Sequence, residues 1–246
     1  MIHLSVNINK VATVRNSRGG SIPSVIQAAE VCIDAGAPGI TVHPRADARH
    51  VTAADVRDLS RLLAPVRGRV EFNIEGDPRP DLLALVHEVQ PDQCTLVPVW
   101  PGEITSQAGW STVTPAAMMT ATVRDLRAGG IRVSLFVDPE DAPIRWAKDM
   151  GADRVELYTE PFARAFARGK SVARESFDIY VRAAELAHSL GLGINAGHDL
   201  DLDNLTLFRT LPHLAEVSIG HALISHAIFV GLAQSVRDYL NVLAGR

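Results

Sequence analysis

Eight short apolar, β-branched runs recur along the chain, and each is followed by a longer stretch with helical periodicity. The expected strands are His3–Asn9, Gly39–His43, Val70–Glu75, Cys94–Val99, Ile131–Val137, Arg154–Thr159, Gly193–Ala196 and Glu216–Gly220. The helical patterns between them cover Pro23–Ala35, Ala53–Leu63, Asp81–Val89, Pro115–Ala128, Ala142–Met150, Phe177–Leu190, Asp203–Leu211 and Ile224–Leu243. Strict alternation predicts repeated βα units and a parallel sheet. Several helices run into glycine turns, as in A-G-A (35–37) and L-G-L-G (190–193), which suit left-handed helix exits. At 246 residues the chain has the length at which eight such units close on themselves. A doubly wound sheet is the alternative, but it usually has fewer strands and often a glycine-rich phosphate loop after the first; here that position reads N-I-N-K (7–10). The expected fold is therefore α/β: a single-domain (β/α)8 TIM barrel over residues 1–246, with extra helical or loop insertions. The stretches after the fourth strand (101–110) and over Glu160–Glu175 are long for simple connections and point to a working face.

Apolar residues make up 47% of the chain and charged residues 21%, enough for a substantial core. A formal charge of −4 with no basic run argues against a nucleic-acid partner. No stretch approaches eighteen consecutive apolar residues, and the first residues lack the features of a signal peptide, so no membrane partner and a cytoplasmic location are expected. The two cysteines, Cys32 and Cys94, fall in apolar stretches and read as buried thiols.

Enzymes of this architecture work at the C-terminal ends of their strands, and this sequence concentrates polar residues there. Asn7, Asn9 and Lys10 follow strand one, and His43, Arg45 and His50 follow strand two. Glu75 ends strand three, Glu103 and Thr105 follow strand four, and Thr159 and Glu160 close strand six. His198 and Asp199 follow strand seven, and Gly220 and His221 end strand eight. An imidazole titrates near neutrality and a carboxylate against apolar walls is pushed towards it, so His43 and Glu75 suit proton transfer. The alternative is that Glu75 forms a salt bridge with Arg45 or Lys10 at the barrel top. N-A-G-H-D (195–199) and I-G-H-A (219–222) fall where barrels often hold phosphate on backbone N–H groups, unless Gly197 and Gly220 only permit tight turns.

His3, His87, His188, His213 and His226 carry no expected role. A metal could be assembled from His43, Glu75, His198 and His221, yet no H-x-H pair or closely spaced His/Cys pair occurs, and no metal site is expected. Of three lysines only Lys10 lies at a strand end, and strand six offers none, which argues against a Schiff-base aldolase. Arg15 and Arg18, in V-R-N-S-R-G-G (14–20), read as a closing lid, and with Arg45 as phosphate ligands or solvated surface. Trp100, Trp110 and the last helix suit either interface or core.

The strings V-N-I-N-K-V-A-T-V-R-N-S-R-G-G (6–20), G-I-T-V-H-P-R-A-D-A-R-H (39–50), F-N-I-E (72–75), L-V-P-V-W-P-G-E-I-T-S (96–106), V-S-L-F-V-D (133–138), I-N-A-G-H-D-L (194–200) and I-G-H-A (219–222) resemble the pyridoxine 5'-phosphate synthase family over nearly the whole chain. That resemblance implies a transferase-type synthase of vitamin B6 biosynthesis. Such an enzyme condenses 3-amino-2-oxopropyl phosphate with 1-deoxy-D-xylulose 5-phosphate to pyridoxine 5'-phosphate, phosphate and water, without metal or organic cofactor. It implies His43 and Glu75 as proton acceptors and His198 as proton donor. It places Asn7, Asn9, Lys10, Arg18, Arg45, His50 and Thr105 on the substrates, and Asp199, Gly220 and His221 on the aminoketone phosphate. It further implies a homo-octamer. The chain departs from the family pattern twice: Asn9-Lys10 stands for an Asp-His pair, and G-H-D (197–199) for G-H-G. Another phosphosugar isomerase or aldolase barrel, or a catalytically silent sensor of a phosphorylated ligand, are the competing readings.

Overall fold

The computed structural model describes residues 1–99 and 108–246. In chain order its elements are β1 (His3–Asn7), α1 (Asn9–Asn16), α2 (Val25–Asp34), β2 (Gly39–Val42), α3 (Ala53–Leu63), β3 (Glu71–Gly76), α4 (Pro80–Val89), β4 (Gln93–Leu96), α5 (Ala116–Ala128), β5 (Arg132–Val137) and α6 (Asp141–Asp149). They continue with β6 (Arg154–Tyr158), α7 (Glu160–Ala167), α8 (Lys170–Ser189), β7 (Gly193–Gly197), α9 (Leu205–Phe208), β8 (Leu214–Ile219), α10 (His221–Val230) and α11 (Leu232–Leu243). The eight strands form a closed parallel barrel in sequence order, with β8 pairing back onto β1. All eight expected strands are present, and the fold is the expected α/β (β/α)8 barrel.

Strand side chains alternate between two faces. Leu4, Val6, Ile40, Val42, Phe72 and Ile74 are fully or almost fully buried in the main apolar core. The other face carries polar groups, where barrels of this kind usually hold branched apolar ones. Ser5 and Thr41 share a hydroxyl–hydroxyl bond of 2.6 Å, Asn73 Nδ2 donates to Thr41 Oγ1 at 3.2 Å, and Thr95 Oγ1 donates to Asn73 Oδ1 at 3.0 Å. Towards the N-terminal end of the barrel, Arg132 Nε donates to Gln93 Oε1 at 2.9 Å and Arg154 Nη1 to Asn195 Oδ1 at 2.8 Å. These buried polar groups persist because they satisfy one another.

The departures from the sequence-based expectation have local causes. Strand one stops at Asn7 rather than Asn9. The Asn7 side chain accepts from the Asn9 N–H at 3.1 Å, an Asx turn that starts α1, so Asn9 and Lys10 ride on a helix. Arg15 lies on that helix and pairs with Asp55, donating from Nη2 to Oδ2 at 2.9 Å, which ties it down instead of leaving it on a lid. The stretch after β6, expected as loop, is helical from Glu160, with a proline in its first turn and Phe162 buried. The expected last helix is two, α10 and α11, broken at Gly231 with φ +85°. The expected helix over 203–211 shrinks to α9. No helix of the described residues is long and apolar enough to cross a membrane, and both cysteines are free and buried. Trp110 packs against the core with Nε1 donating to Leu96 O at 2.8 Å, and α11 buries Val236, Tyr239 and Leu243 in it. Trp100 lies outside the described residues.

Asp55 does double duty. Besides holding Arg15, it closes a capping box on α3: Thr52 Oγ1 accepts from the Asp55 N–H, and Asp55 Oδ2 accepts from the Thr52 N–H at 2.8 Å. Asp55→Ala is expected to cost about 1–3 kcal/mol of folding stability, read by denaturant unfolding, because it removes the cap and strands a largely buried guanidinium.

Candidate active site

The C-terminal mouth of the barrel opens into a cavity of about 420 Å³. Of the residues singled out in the sequence, Asn7, Asn9, Lys10, His43, Arg45, His50, Glu75, His198, Asp199, Gly220 and His221 line it. Arg18 lies in the turn after α1, exposed and outside this wall. Glu103 and Thr105 lie outside the described residues. Sequence reasoning missed Thr13, Arg49, Glu156 and Ser218, which also line the cavity.

At its base, Glu75 on β3 accepts from Asn7 Nδ2 and from Ser218 Oγ, each at 3.3 Å, and its Oε2 is 3.9 Å from His43 Nδ1. Its hydrogen-bond partners among the described residues are thus neutral rather than the expected Arg45 or Lys10. Burial raises the Glu75 carboxyl to about 7; the Ser218 hydrogen bond opposes this and the charge of Glu216 adds to it. Glu156, on the inner face of β6, is held well above the usual carboxylate range by burial and by the nearby Glu75 and Glu216. His43 is held well below the ordinary imidazole value by burial first, and then by the repulsion a second proton would meet from its basic neighbours His50 and Arg45. It is a neutral base whose Nε2 has no hydrogen-bond partner among the described residues. Its backbone N–H donates to Asn9 Oδ1 at 2.9 Å, so Asn9 braces the start of the β2 loop that carries it.

His198 caps the far wall. Its backbone is left-handed, with φ +83°, and Asp199 follows at φ +58°. Its ring packs 4.7 Å from Phe136 and 5.5 Å from Tyr158, centroid to centroid. Burial lowers it to about 4. Gly197 and Gly220 are sites of close approach rather than of special turn geometry. A Cβ on Gly197 would stand 2.4 Å from Glu156 Oε1, and one on Gly220 would stand 3.0 Å from Asn7 O. Gly220 precedes α10, whose first residue is His221, so a helix N-terminus opens beside the cavity. Lys10, Arg45 and Arg49 stand on the wall built by α1 and the β2 loop, with Arg49 2.7 Å from Asp47. The mouth thus combines a neutral imidazole, a carboxyl that exchanges its proton near neutrality, and groups suited to anions. It can move protons on a phosphorylated substrate.

Residues 4–245 match the family described as "Pyridoxal phosphate biosynthesis protein PdxJ". The chain is 49% identical over 245 residues to the pyridoxine 5'-phosphate synthase of Porphyromonas gingivalis, covering 99% of this chain and 100% of that one. It is 50% identical over 244 residues to that of Cytophaga hutchinsonii, covering 99% of each. The chain belongs to the PdxJ family. Among solved structures, 3-hexulose-6-phosphate synthase from Salmonella typhimurium superposes with a TM-score of 0.66 at 13% identity, covering 99% of both chains. KGPDC from Streptococcus mutans does so at 0.63 and 12%, covering 100% of this chain and 98% of that one. At such identities these two structures establish only the barrel.

In this PdxJ chain the histidines of the mouth make the fold sensitive to acid. His50 is lowered to about 4 by burial and then by Arg45 and Lys10. The unfolded chain takes up a proton near the ordinary value of 6.5 while the folded one resists until about 4, so this contribution to stability is lost as pH falls across that interval. Relative to the wild type, His50→Gln should therefore gain melting temperature steadily between pH 6.5 and 4; a constant difference would show that His50 is not held neutral.

Proposed function

We propose that the chain is a pyridoxine 5'-phosphate synthase, condensing 3-amino-2-oxopropyl phosphate with 1-deoxy-D-xylulose 5-phosphate in vitamin B6 biosynthesis, and that residues 1–246 act as one catalytic domain in the cytoplasm. The observation that carries it is Glu75 beside His43 at the base of the cavity, flanked by the cations of the α1 and β2 side and by the helix N-terminus of the β8 side. The names and identities of the relatives support the choice of reaction.

In this reading the substrate amine attacks the sugar ketone, and dehydration, loss of phosphate, addition of water and ring closure follow. Each step moves a proton. His43, neutral and with a free Nε2, and Glu75, poised near 7, accept protons, and His198 returns one. Burial holds His198 neutral, and a phosphate dianion beside it would favour its protonated form, so substrate binding arms it. Asn7, Lys10, Arg45 and His50, with Arg18 and Thr105, hold the substrates, mainly the sugar phosphate, while the backbone of Asp199, Gly220 and His221 holds the aminoketone phosphate. Asn9 contributes through the His43 backbone, and Lys10 supplies the positive charge on that side. Metal and organic cofactors take no part in this scheme.

A vitamin B6 auxotroph that lacks its own enzyme for this step tests the proposal: the chain should restore growth without added pyridoxine, and no growth with soluble chain present would overturn it. The same reading makes the protein a homo-octamer. Support comes from the end of α10, where Ile228 and Phe229 are 75% and 86% exposed, apolar area suited to self-association. Light scattering should give eight times the 26.5 kDa chain mass; a monomeric mass would refute the assembly.

A further inference from the structure

The inner face of the barrel is polar along most of its strands, and one apolar patch interrupts it near the mouth. Ser134 and Glu156 are inward residues of β5 and β6, and alternation brings Phe136 and Tyr158, two positions further along each strand, to the same face. With Val97 they form an apolar cluster separate from the main core, Phe136 fully buried and Tyr158 7% exposed. Their rings stand 5.4 Å apart, centroid to centroid, at 59°. His198 covers this cluster on the cavity side: its ring lies 4.7 Å from Phe136, tilted by 48°, and 5.5 Å from Tyr158, edge-on at 82°. Aromatic rings attract at such spacings and tilts. His198 lines the cavity, whereas Phe136 and Tyr158 stand behind it. No side chain among the described residues hydrogen-bonds its imidazole; the polar group nearest in the chain is the Gly197 backbone.

We infer that Phe136 and Tyr158 are positioning residues for the proposed reaction: their two rings fix the plane of the His198 imidazole by packing and leave its nitrogens to the substrate. In many enzymes a hydrogen-bonded carboxylate performs this task for a catalytic histidine. The inference rests on the proton-donor role given to His198 above. The backbone shows why walls are needed. β7 ends at Gly197, and His198 follows it in the left-handed region at φ +83°, so no strand neighbour restrains its side chain. An imidazole turns about two bonds, and one ring against its face with a second set edge-on removes that freedom before substrate arrives. The effect on rate is large because a misplacement of about 1 Å costs on the order of a hundredfold. A leucine would fill the same space in the patch, so what the geometry singles out at both positions is the flat ring.

Phe136→Leu and Tyr158→Leu keep the patch apolar and remove one wall each. Either should lower kcat on the order of ten- to a hundredfold with KM for both substrates nearly unchanged. Tyr158→Phe keeps the ring without its hydroxyl and should restore most of the kcat lost in Tyr158→Leu. Wild-type kcat in the folded leucine variants, a KM that rises as kcat falls, or a Tyr158→Phe as slow as Tyr158→Leu would each overturn the inference. A second measurement needs neither leucine variant to fold. In a crystal structure of the ligand-free wild type, His198 should occupy one rotamer, as well ordered as Phe136 and Tyr158 behind it. Ring density divided between rotamers would overturn the inference, because the walls would then fix nothing. Failure of the proton-donor role itself would show separately, as wild-type kcat in His198→Asn.

Discussion

Glu75→Gln should lower turnover by about 10²–10⁴-fold, the usual contribution of a placed acid or base, while the protein folds as well as the wild type. Glutamine has the same shape: its amide oxygen can accept from Asn7 Nδ2 while its amide NH2 donates to the Ser218 hydroxyl, which can turn to accept, in place of the two 3.3 Å bonds to the present carboxyl. It cannot exchange a proton. The stability effect has a definite sign. Because burial raises the folded carboxyl from 4.5 to about 7, the unfolded chain releases this proton first, and the wild type loses stability as pH rises between those values. The variant lacks that loss, so its melting temperature should match the wild type at pH 4.5 and equal or exceed it at pH 8. Phosphate-ligand affinity should change by no more than a few fold. Turnover at the wild-type level would remove Glu75 from the mechanism; a melting temperature that falls with turnover would assign it to the fold.

His198→Asn should be equally damaging to turnover, about 10²–10⁴-fold, for a reason separable from backbone strain. His198 holds φ +83°, a region that β-branched side chains avoid and asparagine tolerates best among non-glycine residues. Asparagine therefore keeps the chain path into Asp199 and the hydrogen bond from Thr159 Oγ1 to Gly197 O at 2.6 Å, while removing the imidazole from its place against Phe136 and Tyr158. His198→Val should instead lower stability as well as turnover. The contrast is read by pairing kcat with thermal melting for both variants. If asparagine retains wild-type kcat, the imidazole transfers no proton and the contribution of this residue is conformational.

The barrel was legible in the sequence because each strand supplies outward apolar residues, such as Leu4 and Val6 or Ile40 and Val42, that have nowhere to go but under helices. The mouth was legible because His43, Glu75 and His198 stand at or next to strand ends, where the fold puts function. Helix α1 was missed because the signal for it is one side chain, Asn7, folding back on the Asn9 N–H, and nothing in the apolar pattern marks the stop. Helix α7 was hidden by its shortness and its neighbouring polar residues. Glu156 and Ser218 were passed over because they lie within strands rather than at their ends. Their signal was the alternation itself: Ser5, Thr41, Asn73, Thr95, Glu156 and Glu216 fall on inward positions of six strands, and such a polar periodicity marks a barrel whose interior is part of its chemistry. The close approach at Gly197 could not be read locally, since the group nearest it is the Glu156 side chain on the neighbouring strand.

The central claim is that the mouth residues run the ring-closing condensation. Its most direct test incubates purified chain with 1-deoxy-D-xylulose 5-phosphate and freshly generated 3-amino-2-oxopropyl phosphate, following pyridoxine 5'-phosphate absorbance and released phosphate together. Product and phosphate should rise in step, at one phosphate per pyridine ring, in the presence of a chelator. Tight binding of either substrate with neither product nor phosphate formed would contradict the assignment and leave the chain a binder of phosphorylated ligands.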